Sequence, residues 1–236
     1  AVGRSSLSTN STGDQNTAVG RSALQANTTA SSNTAVGFNA LTANTTAGNN
    51  TGIGDGSLSA NTTGAQNTAV GLGSLESNTT ADNNTAVGRN ALDSNTTGDQ
   101  NTALGFKALC ANTTGTENVA IGSNALDANT TAGCNVGVGH GALSDNTTGH
   151  SNIAMGRNAL GSNTTASTNT AIGHQSLVLN TTGFGTAVGY QTMAANTTGS
   201  GSTAIGYQAL CSNTTGDDNT AIGLETLSKN TTGANN

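Results

Sequence analysis

Apolar and polar positions recur along this chain with a fixed period. From Asn16 to Ser32 it reads NTAVGRSALQANTTASS, and from Asn33 nearly the same words return as NTAVGFNALTANTTAGN. In each copy the apolar residues fall into two short pieces, TAVG and SAL, interrupted by glycine and followed by a polar stretch such as QANTTAS. An amphipathic helix would need apolar residues at i, i+3, i+4 and i+7 sustained over ten or more residues, and glycine opposes it. Thr, Val and Ile favour strands instead. The pattern therefore predicts one coil per copy: a strand TAVG, a bend at Gly20, a second short strand around Ala23 and Leu24, and a polar turn.

Aligned on the Asn of the NTT word, the copies begin at Asn10, Asn27, Asn44, Asn61, Asn78, Asn95, Asn112, Asn129, Asn146, Asn163, Asn180, Asn196, Asn213 and Asn230. Each step is 17 residues except Asn180 to Asn196, which is 16. A short period kept through a whole chain is the mark of a solenoid, whose units bury their apolar side only against one another. The predicted fold class is all-β: a parallel β-solenoid of 14 coils of 17 residues, one continuous domain over residues 1–236. Gly20, Gly37, Gly88, Gly122 and Gly223 belong to a column that is glycine in every copy, the predicted bend. Strand alternation puts Thr17 and Val19 on one face and Ala18 on the other. The inward ladders are expected to be the always-apolar columns of Val19, Val36, Val87, Ile121, Ile172 and Ile222, and of Leu24, Leu41, Leu92, Leu126, Leu177 and Leu227. Coils stacked at ~4.8 Å would make a rod of roughly 65 Å, with Asn16 and its equivalents forming a coil-to-coil amide ladder.

The words NTAVGRSAL, NVAIGSNAL (Asn118 to Leu126) and NIAMGRNAL (Asn152 to Leu160) resemble the head repeats of YadA-like trimeric autotransporter adhesins, S/N-V-A-I-G-x-x-A/S. They also resemble repeats of phage tail-fibre shafts. The resemblance covers about half of each copy and extends to all of them. It implies a left-handed parallel β-roll on an extracellular surface, typically in a trimer, used for length and attachment. Those repeats are a few residues shorter, lack the NTT word and carry Val where this chain mostly has the Thr17 type.

Composition narrows the function. Only 33% of residues are hydrophobic and 2% aromatic, with 33 Gly and no Pro, so an ordinary globular core is not expected. A net charge of -6 with six Lys and Arg leaves no basic patch for nucleic acid. No apolar run approaches the roughly 20 residues of a membrane span. The chain opens in mid-repeat at Ala1 and stops at TTGANN; joining Asn236 to another Ala1 would reproduce the 16-residue step. The expected partner is thus the chain itself, head to tail in a filament or as a segment of a longer repetitive chain, with the trimer as the lateral possibility and host-cell or environmental surfaces as further contacts.

NTT is the most suggestive polar word, because Asn-x-Thr is the acceptor pattern for N-glycosylation. The candidates are the Asn residues that begin the copies, or the adjacent Thr28, Thr29, Thr45 and Thr46; the competing reading is a turn, with Asn tolerating left-handed backbone and Thr hydroxyls in ladders. No cofactor is expected beyond covalent glycans. Cys110, Cys134 and Cys211 lie too far apart to pair and fit no zinc spacing, and are read as small substitutes at Ser-like positions, with an intersubunit bridge as the lesser alternative. His140, His150 and His174 with scattered carboxylates offer no catalytic arrangement, and no enzyme is expected. The predicted function is a structural segment of an extracellular, glycan-decorated fibre. An adhesin or tail-fibre shaft is the alternative, and an ice-binding solenoid, from the Thr ladders, a weaker third.

Overall fold

The computed structural model describes residues 1–236. It holds two compact units, residues 1–118 and 119–236, and each is a parallel β-solenoid. In the first unit the strands are β1 (Thr17–Val19), β2 (Thr34–Val36), β3 (Thr51–Ile53), β4 (Thr68–Val70), β5 (Thr85–Val87) and β6 (Thr102–Leu104). The second holds β7 (Val119–Ile121), β8 (Val136–Val138), β9 (Ile153–Met155), β10 (Thr170–Ile172), β11 (Gly185–Val188), β12 (Ser202–Ile205) and β13 (Thr220–Ile222). Within each unit every strand pairs in parallel with the next, and like residue stands on like: Thr17 on Thr34, Ala18 on Ala35, Val19 on Val36. The short coil keeps this register, with Thr170 on Thr186.

The inward strand position is Ala18, not Val19. Ala18, Ala35, Ala69, Ala86 and Ala103 are 0% exposed, as are Ala120, Ala154 and Ala171 in the second unit. The expected inner ladder of Val19, Val36, Val87, Ile121, Ile172 and Ile222 faces outward instead: Val19 is 40%, Ile121 36%, Ile172 37% and Ile222 66% exposed, and Val36 and Val87 are half-buried. The reason is width. A Cβ placed on Gly52, which takes the Ala18 position in its coil, would already stand 3.3 Å from the Leu41 side chain and 3.1 Å from Ser57 Oγ. A valine there would overpack the coil. The Leu column is inward as expected: Leu24, Leu41, Leu92, Leu126 and Leu177 are fully buried, while Leu227 is half-buried.

The second short strand around Ala23 and Leu24 does not form; residues 21–26 are a turn. Leu24 has φ +50° and Ser22 φ +58°, both left-handed, and the same pair of values recurs coil after coil, as at Asn90 (+56°) and Leu92 (+52°). Left-handed backbone costs an L-residue about 1–2 kcal/mol. It is offset by hydrogen bonds to both neighbouring coils: the Ser22 amide donates to the Arg4 carbonyl at 2.9 Å and the Leu24 amide to the Ala40 carbonyl at 3.0 Å. The alternation tucks Leu inward within a few residues of the strand, which an extended segment would not do.

The bend is where glycine is required. Gly88 has φ +136°, and a Cβ there would run into the carbonyl of Gly105 in the next coil. Leu92→Ala should therefore cost about 2–5 kcal/mol, Val87→Ala less than half of that, and Gly88→Val should prevent the first unit from folding; urea unfolding followed by circular dichroism would rank the three.

Candidate functional site

The polar word NTT closes each coil, and its three side chains meet three different environments. Asn27 is fully buried. Its Nδ2 donates to Asn10 Oδ1 at 2.7 Å and to the Ala30 carbonyl at 3.0 Å, while its Oδ1 accepts from Asn44 Nδ2 at 3.2 Å. The ladder continues through Asn61 and Asn78, whose Nδ2 groups donate to the preceding Asn Oδ1 at 2.9 and 2.8 Å. A second ladder runs beside it. The Asn33 backbone N–H donates to Asn16 Oδ1 at 3.0 Å, and the Asn50 backbone N–H repeats this on Asn33 Oδ1 at 2.9 Å.

One carbonyl joins the two ladders. Ala30 O accepts from Asn27 Nδ2 in its own coil and from Asn16 Nδ2 in the preceding one, at 3.0 and 2.7 Å. Ala47 does the same for Asn44 and Asn33, and Gly64 for Asn61 and Asn50. The second unit repeats the arrangement, with Gly149 accepting from Asn146 and Asn135. Where the short coil removes a residue, Gly185 and then Ser202 occupy the second ladder, and Ser202 Oγ takes over as acceptor for the Asn219 amide at 3.1 Å.

Burial of these side chains overturns the expected N-glycosylation of the NTT asparagines. Asn27, Asn44, Asn61, Asn78, Asn95, Asn112, Asn129, Asn146, Asn163, Asn180, Asn196 and Asn213 are fully buried, so their amides are closed to a glycan. Asn10 and Asn230 are half-buried, yet Asn10 Nδ2 donates to the Gly13 carbonyl at 2.9 Å and Asn230 Nδ2 to Asn213 Oδ1 at 2.9 Å. A sugar on Nδ2 would displace a donor and demand space inside the coil. Thr28 and Thr45 are half-buried, and their hydroxyls donate to the Thr45 and Thr62 carbonyls, each at 3.2 Å. Thr29 and Thr46 are exposed.

Outside the turn, the position after the bend carries side chains that stack between coils. In the second unit His174 lies on Tyr190 with centroids 5.3 Å apart and Tyr190 on Tyr207 at 5.2 Å, and Gln175, Gln191 and Gln208 form an amide ladder alongside. In the first unit Arg21 sits over the Phe38 ring at 5.5 Å. Repeat alignment reads this column as mere drift, and only coil stacking reveals the pairs. Cys110, Cys134 and Cys211 form no disulfide with one another; Cys134 is exposed and the others are half-buried. His140, His150 and His174 enter no group of three or more metal-capable side chains. A scan against protein-family models and searches among characterised proteins and solved structures return no match to this chain.

Two outcomes follow from these contacts. Asn61→Ala leaves Asn44 Oδ1 and one Nδ2 hydrogen of Asn78 unpaired in the interior; at about 1–3 kcal/mol for each, it should cost about 2–6 kcal/mol in a thermal melt. Glu76 is pushed above the ordinary carboxyl value of 4.5 by desolvation, then by Asp93 and Asp55. A raised folded pKa means that the native state holds the proton more tightly, so this contribution is present in acid and lost as pH rises through the shifted value. Glu76→Gln should raise the melting temperature slightly at pH 7, and the gain should vanish below about pH 4.

Proposed function

We propose that the chain is a structural segment of an extracellular fibre, built for length and coated with covalent sugar. The observation that carries this reading is the sameness of the coil interfaces. Within each unit the register and the NTT amide ladder repeat from coil to coil, and the shared carbonyl recurs in most coils, so stacking satisfies each coil through its neighbours and has no built-in stopping point. No part of the coil is elaborated into an insertion that would set one copy apart. The resemblance of NTAVG-type words to surface adhesin heads and tail-fibre shafts supports placement outside the cell.

The partner in this reading is the chain itself, through further coils along the axis. Laterally, the outward column offers a second face: Val19, Ile53 and Leu104 stand exposed beside the Thr17, Thr51 and Thr102 column, an apolar stripe of the kind that marks association surfaces. Copies would pack there side by side, the trimer that the resemblance implies being one such arrangement.

Purified protein examined by electron microscopy over a range of concentrations should show elongating filaments with a meridional spacing near ~4.8 Å in fibre diffraction. A monodisperse species that never elongates, in recombinant and native material alike, would sink the fibre.

A further inference from the structure

In each copy the two threonines of NTT differ in what the fold asks of them. The first is structural: Thr28, Thr62, Thr79 and Thr96 donate their hydroxyls to the backbone carbonyl of the equivalent threonine one coil on, at 3.2, 3.0, 3.1 and 3.0 Å. Serine does the same at Ser11, donating to the Thr28 carbonyl at 2.9 Å. The second threonine is exposed, and its hydroxyl has no partner in the protein, at Thr29, Thr46, Thr63, Thr80 and Thr97 and onward to Thr232.

Other exposed columns vary in residue type. The position after the bend reads Arg21, Phe38, Asp55, Leu72, Arg89 and Phe106, and the one two residues beyond Thr29 reads Ser31, Gly48, Ala65, Asp82, Asp99 and Thr116. Copying a repeat cannot explain a fixed residue when its neighbours, copied with it, have scattered. Buried columns stay fixed because the coil is narrow. The second threonine is fixed without being buried or bonded, so its constraint comes from outside the fold. An Asn-x-Thr acceptor would account for it only if the Asn were available, and Asn27 Nδ2 spends both hydrogens inside the coil.

We propose that the hydroxyl of this second threonine, Thr29 and its equivalents, is the attachment site of an O-linked sugar. This rests on the coated-fibre reading and says where the coat is joined. A glycosyltransferase acting on the chain removes the hydroxyl proton to its own base. Thr29 Oγ1 attacks the anomeric carbon of a nucleotide-activated sugar; the new bond is Oγ1 to C1, the C1 to phosphate-oxygen bond breaks, and the nucleoside diphosphate leaves. No oxidant or reductant is involved. With acceptors repeating at ~4.8 Å, neighbouring sugars lie in contact, which suits single sugars or unbranched chains directed away from the coil and excludes branching close to the attachment point.

Site mapping by electron-transfer dissociation of native material should find hexose or N-acetylhexosamine on Thr29, Thr46 and Thr63, released by alkaline β-elimination and untouched by the amidase that removes Asn-linked glycans. Sugar on Asn27 or Asn44, or peptides through these turns at their unmodified mass, overturns the proposal. A recombinant chain supplies the second measurement. Replacing Thr29, Thr46, Thr63 and Thr80 together by Val should leave the melting temperature unchanged, whereas the same change at Thr28, Thr45, Thr62 and Thr79 should lower it. An equal loss in both would mean that the fold itself holds the second threonine, and the proposal falls. Micrographs of the native material separate the two ideas: fibres with bare threonines keep the fibre and remove the sugar, and modified threonines on material that is not fibrous do the reverse.

Discussion

Everything in the coil depends on where the turn puts its amide groups. A chain this poor in large apolar residues has only a slim Leu ladder and a file of alanines to bury. Its turns must pass close to that interior, and polar groups left there unpaired would cost about 1–3 kcal/mol each. Two Asn columns remove the problem. Each amide has two donors and an acceptor; Asn27 bonds at once to Ala30 in its own coil and to Asn10 and Asn44 in the adjacent ones, while Asn33 bonds to Ala47 and Asn50 of the next coil. Most of the bonds that satisfy the turn also hold coil to coil, and an isolated coil could make only the one from Asn27 to Ala30.

The narrowness that makes the amide ladders necessary also decides which side of the strand faces in. Only Ala or Gly fits opposite the Leu side chains, which sends Val, Ile and Thr to the surface. The same dimension accounts for the left-handed turn: a Leu at φ +50° reverses the chain in a few residues, where a strand would have carried it too far. The coil accepts that strain because amides at Ser22 and Leu24 bond in opposite directions, one to each neighbour.

The period, the parallel stacking, the Gly bend and the Leu ladder could all be read from the repeat, because the copies keep their spacing and these columns hold Gly throughout and Leu in all but Met193. The facing of the strand could not be read from hydrophobicity, since Val outranks Ala on any such measure. The signal that would have decided it is size: Ala18 and its equivalents are Ala or Gly in every copy, a restriction that only close packing imposes. The left-handed turn had a signal too. The Ser22 column is Asn or Gly in half of the copies, at Asn39, Gly56, Gly73, Asn90, Asn124, Gly141 and Asn158, residue types that tolerate positive φ, and Ser, Lys, Gln or Glu in the others. Leu at the second such position, as at Leu24, carries no local mark, because there the tertiary fit overrides the residue's own preference. The Asn of NTT was misread for a related reason. A residue that serves as a glycan acceptor on a surface and as a hydrogen-bonding ladder in an interior looks the same in a sequence, and only burial separates the two.

The in-register pairing of Thr17 on Thr34 and Ala18 on Ala35 has a consequence for how such a molecule varies. Seventeen residues added or removed within a unit leave the coils on either side facing partners equivalent to those they had before. The unit of inheritance and the unit of structure then coincide, so that slippage in the gene becomes a change in reach, and a lineage could lengthen or shorten its product without relearning how to fold it.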